Sequence, residues 1–66
     1  MQVSINGEPK TLPDGCSVKE MLQLLRFDDE WLGVAVNMEF VSKEKFEETI
    51  LKEGDMVDVL APMSGG

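Results

Sequence analysis

The sequence predicts an α+β domain in which a mixed sheet of four to five strands carries one main helix packed across one face. Polar and apolar residues alternate near both ends of the chain, in Gln2-Val3-Ser4-Ile5 and in Met56-Val57-Asp58-Val59-Leu60, the period of a strand with one buried face. Between them, Val18, Met21, Leu22 and Leu25 fall at i, i+3, i+4 and i+7, one stripe of an amphipathic helix. Hairpin-like halves on either side of a single helix bury both apolar surfaces when the helix lies across the sheet. A chain of 66 residues has room for one such core and no second domain.

The first strand ends at Asn6-Gly7, the strongest short hairpin signal, because both central positions of a type I′ turn need positive φ. Glu8 to Leu12 returns as a second strand, and Pro9 places it at an edge. Pro13-Asp14-Gly15 turns the chain into Ser17-Val18-Lys19-Glu20, a capping box in which Ser17 and Glu20 satisfy each other's backbone amides. Arg26 falls near the helix end, where a cation suits the dipole. Phe27 to Leu32 is an acidic connection, and its bulky exception, Trp31, reads as an anchor on the core, with partner contact as the alternative. Gly33 to Val36 forms a strand with Val34 and Val36 on one face, and Asn37-Met38 turns it into a short strand, Glu39 to Val41. A short helical turn, Ser42 to Glu48, is pinned by Phe46. Lys52-Glu53-Gly54-Asp55 turns into the last strand, where Val57 and Val59 face the core. The domain is expected to span 1–61, with 62–66 a flexible tail beyond the stop set by Pro62.

Composition removes most chemistries. With no His and one Cys, the usual Cys/His zinc sites cannot be built, and no metal site is expected. Ser-His and Cys-His nucleophile pairs are excluded for the same reason, so no catalytic residues are assigned. One cysteine forbids an internal disulfide, which fits a reducing, cytoplasmic setting. Cys16 stands beside the helix N-terminus and is read as a small half-buried residue beside the cap; the lesser alternative is a reactive thiol whose pKa the helix amides lower. Thirteen acids against six bases give a net charge of −7, which phosphate backbones and anionic membranes repel. A basic patch on another protein is the better match.

The chain ends in Gly65-Gly66. At an average glycine usage near 7%, a given terminal pair is Gly-Gly by chance in roughly 0.5% of chains, which makes a functional reading worth testing. Two residues without Cβ make the thinnest peptide available, able to lie in a narrow tunnel and present a bare α-carboxylate. Residues 61–66, fully extended, reach about 20 Å. A carboxylate is inert to nucleophiles near neutral pH, but as an acyl-adenylate it is open to attack by a thiol or persulfide. On that reading a partner does the chemistry, and this chain is handle and substrate.

Val34-Ala35-Val36-Asn37 with Glu39 and Val41, then Thr49-Ile50-Leu51-Lys52-Glu53-Gly54-Asp55 running into Val57, and the final Gly65-Gly66 together resemble the ThiS family of ubiquitin-like sulfur carriers. Asn6-Gly7-Glu8 and the Ser17–Leu25 helix also sit where that family places its first turn and main helix. Met38 departs from the pattern, standing where a Gly is frequent, and Phe46 replaces a common Trp. The resemblance implies a β-grasp fold whose first and last strands lie parallel in mid-sheet. It implies that a ThiF-like enzyme adenylates the Gly66 carboxylate with ATP, and that sulfur from a cysteine desulfurase-derived persulfide converts it to a thiocarboxylate. Gly66 would then give sulfur to thiazole synthase during thiazole formation for thiamin. No cofactor would be held permanently, and the free carrier would be a monomer. Gly65 and Ser64 would give the tail access to its partners. The sheet face away from the helix, with Met56, Leu60 and Ala35, and Met63 beyond it, would form the docking surface. Two alternatives share the terminal pair: the small subunit of molybdopterin synthase, and a ubiquitin-like modifier joined to lysines.

Overall fold

The computed structural model describes residues 1–27 and 33–60. The strands are β1 (Gln2–Ile5), β2 (Glu8–Thr11), β3 (Gly33–Val36), β4 (Glu39–Val41) and β5 (Met56–Leu60), with one helix, α1 (Val18–Leu24), and a 3₁₀ turn at Lys43–Lys45. They form one five-stranded sheet in the order β2-β1-β5-β3-β4. β5 lies at its centre, parallel to β1 and antiparallel to β3. This is the β-grasp arrangement.

Local chemistry explains the elements. Asn6 and Gly7 both hold positive φ, 53° and 83°, so a two-residue turn delivers Glu8 opposite Ile5. β2, with Pro9, is an exposed edge of the sheet. Both bonds of the capping box are present: the Ser17 amide donates to Glu20 Oε1 and the Glu20 amide donates to Ser17 Oγ, each at 3.1 Å. The helix closes with the amide of Phe27 donating to the carbonyl of Leu22 at 2.8 Å and that of Arg26 to Gln23 at 3.2 Å, the paired bonds of a Schellman ending. Arg26 therefore sits just past the helix at φ 61°, in the left-handed position that usually falls to glycine. Its place is set by the backbone reversal more than by the dipole.

The helix stripe Val18, Met21 and Leu22 packs on Val3, Ile5, Val34, Val57 and Val59 from the sheet. Leu12, Cys16, Phe46 and Leu51 close the sides of this core. Phe46 pins the 42–48 segment as expected, although only Lys43–Lys45 winds into 3₁₀ geometry. Trp31 lies outside the described residues.

Candidate functional site

β5 is the strand that leads into the terminal segment, and it is held on both sides. Beyond the ladders to β1 and β3, two asparagine side chains bind its backbone. The Val59 amide donates to Asn6 Oδ1 at 2.8 Å, continuing the parallel pairing past the point where β1 has turned away. The Met56 amide donates to Asn37 Oδ1 at 3.0 Å, and Asn37 Nδ2 donates to Asp55 Oδ1 at 3.1 Å. The other Asp55 oxygen accepts from the Lys52 amide at 2.8 Å, closing the turn that starts β5. Asn6, Asn37 and Asp55 thus have structural work that the sequence reading assigned to turns alone.

Because side chains alternate across a strand, the inward Val57 and Val59 put Met56, Asp58 and Leu60 on the open face, away from α1. Register then builds that face outward. Asp58 pairs with Ala35, and Ala35 pairs with Phe40, so the three form one row across β5, β3 and β4. Gly33 lies opposite Leu60. Met56, Leu60 and Phe40 are 52%, 69% and 75% exposed, while Ala35 between them is half-buried. The anticipated Met56, Leu60 and Ala35 do share one face. Phe40, the most exposed of the group, was missed; the signal lay in Glu39-Phe40-Val41, where an inward Val41 forces Phe40 outward.

The remaining anticipated site residues, Met63, Ser64, Gly65 and Gly66, lie outside the described residues. Leu60 is the last described residue, so the apolar face adjoins the start of the terminal segment.

Cys16 follows the favoured of its two readings, that of a packed residue beside the cap. It is buried, and its Sγ donates to the Ser17 carbonyl at 3.4 Å. Burial pushes its pKa up, and the nearby Glu20 carboxylate adds to the rise. Both effects act in the same direction, so this is a packed thiol and not an activated one. A groove of about 580 Å³ runs along β4 past Phe40, Ser42, Lys45 and Ile50. Two of the charged groups lining it have partners, with Lys45 Nζ 3.6 Å from Glu48 Oε1 and Asp55 held as above. Among the described residues no helix is long and apolar enough to cross a membrane.

Comparison with known proteins agrees with this geometry. The crystal structure of the thiamine biosynthesis protein ThiS from Geobacter metallireducens is 35% identical, covers all of both chains and superposes with a TM-score of 0.86. The sulfur carrier protein ThiS of Thermus thermophilus is 34% identical over 64 residues, which is 97% of this chain and 98% of that protein. A thiazole synthase from Paramagnetospirillum magneticum is 29% identical over 66 residues; the match takes in the whole of this chain but only 20% of that longer protein. The family model for ThiS matches residues 3–66, from the first strand through the terminal Gly-Gly pair. On sheet order, register and this match, the chain belongs to the ThiS family.

Proposed function

We propose that this protein is a sulfur carrier for thiamin biosynthesis and that its reactive group is the α-carboxylate of Gly66. The observation that carries this reading is the ThiS match running unbroken to residue 66. In the first step a carboxylate oxygen of Gly66 attacks the α-phosphate of ATP on an adenylating enzyme, releasing pyrophosphate and leaving an acyl-adenylate. A persulfide sulfur then attacks the acyl carbon and displaces AMP. A thiol cleaves the resulting S–S bond, leaving the thiocarboxylate and a disulfide. ATP is the partner's substrate, no cofactor is held permanently by this chain, and the carrier works in the cytoplasm.

The fold supplies position. A central strand bonded along both sides gives the terminal segment a stiff base, and the six residues beyond Leu60 reach about 20 Å when extended. Gly65 and Gly66 add no side-chain width, so a partner's channel can close around the backbone. The open face of Met56, Leu60, Ala35 and Phe40 is the surface on which partners dock, close enough to β5 that a docked enzyme receives the terminus. Thiazole synthase is the sulfur acceptor. Support comes from the Paramagnetospirillum thiazole synthase, a fifth of whose length resembles this chain.

Incubation with a ThiF-like adenylating enzyme, ATP and a persulfide donor tests the reading by intact mass. The expected product has one oxygen replaced by sulfur, and deletion of Gly66 abolishes it without loss of folding. Loss of folding in that deletion would contradict the division between scaffold and reactive end.

A further inference from the structure

The open face has one feature that apolar docking alone does not explain. Among its described strand residues, Asp58 is the only charged side chain, set centrally on β5 between Met56 and Leu60 and in line with Ala35 and Phe40. Its side chain makes no hydrogen bond or ion pair with any other described residue. A bare apolar partner would strip water from this carboxylate and return nothing, a costly loss for an ion. The same carboxylate becomes an anchor if the partner offers a guanidinium or ammonium there, and a net charge of −7 draws such a surface in from a distance.

We propose that Asp58 is a specificity determinant of the docking face, and that the thiazole synthase which accepts sulfur presents an arginine or lysine against it, surrounded by apolar side chains that cover Met56, Leu60 and Phe40. The proposal rests on the reading of the open face as the docking face. It chooses thiazole synthase over the adenylating enzyme because a thiazole synthase relative carries a segment like this chain within its own length. Loss of the charge strands the partner's cation in a dry contact, so the effect falls on affinity and on its salt dependence, while Asp58, exposed and unpaired among the described residues, leaves folding unchanged.

The test measures binding of the full-length protein to purified thiazole synthase, and separately to the adenylating enzyme, over a range of salt concentrations. Asp58→Asn, Asp58→Glu, Leu60→Ala and Phe40→Ala are compared with the parent after thermal unfolding has checked each fold. The expected result with thiazole synthase is a loss of roughly tenfold or more for Asp58→Asn with a flattened salt dependence. Asp58→Glu should stay near the parent, and Leu60→Ala and Phe40→Ala should weaken binding with the salt slope intact. If Leu60→Ala and Phe40→Ala weaken binding but Asp58→Asn binds as well or better, the ion pair is refuted and the docking face stands. If none of the four changes either affinity, the docking face falls too. Dependence on Asp58 with the adenylating enzyme alone would overturn the assignment to thiazole synthase.

Discussion

Met38 holds φ 70° and is 87% exposed, so little burial offsets the strain of a left-handed backbone. That conformation costs a non-glycine residue about 1–2 kcal/mol, more than the roughly 0.4–1 kcal/mol by which a glycine loosens the unfolded chain. Met38→Gly is therefore expected to raise stability by roughly 0.5–1 kcal/mol, read from the denaturant midpoint, and Arg26→Gly to act in the same direction. Cys16 makes a prediction about pH. Its folded pKa is raised, so as pH climbs past the ordinary thiol value the unfolded chain loses the proton first. Stability contributed by the neutral buried thiol is complete below that value and declines above it. Unfolding measured above about pH 8.5 should show this decline in the parent and not in Cys16→Ala. The cysteine should also react slowly with thiol reagents until the protein unfolds.

Elements depend on a few side chains whose roles differ in legibility. Turns and the capping box could be read directly, because Asn6-Gly7 and Ser17-Val18-Lys19-Glu20 satisfy their backbone locally within a few residues. The apolar stripes were equally open, since Val3, Ile5, Val57 and Val59 alternate and Val18, Met21 and Leu22 recur at helical spacing. What stayed hidden depends on register between distant strands. The bond from the Val59 amide to Asn6 spans 53 residues, and Phe40 joins the open face only through its pairing with Ala35. Asn6→Gly tests the first of these. The turn keeps its conformation, but the Val59 amide loses its acceptor, at a cost of about 1–2 kcal/mol and with faster hydrogen exchange at that amide. Met21, fully buried on the inner face of the helix, sets the scale of the core. Met21→Ala should cost about 2–5 kcal/mol, a large share of the roughly 3–10 kcal/mol that a chain of this length holds in total.

At the scale of the whole molecule, the proposed function divides labour between a scaffold and an end. The packed side of the sheet spends its apolar residues on the helix, and the open side keeps Met56, Leu60 and Phe40 uncovered around one carboxylate. Between the two faces runs β5, whose chain continues into the segment that ends at Gly66. Composition leaves no histidine for resident catalysis of the His-dependent kinds, and in the proposed function the terminal carboxylate is the group that partners transform. The pathway came from the family and not from the geometry, because a docking face and a Gly-Gly end serve several acceptors equally well. The most direct measurement is the intact mass of the protein after incubation with ATP, a ThiF-like adenylating enzyme and a persulfide donor, with fragmentation to locate the change. Replacement of one oxygen by sulfur at Gly66 is the predicted result; an unchanged mass, or a linkage of Gly66 to lysine, would contradict it.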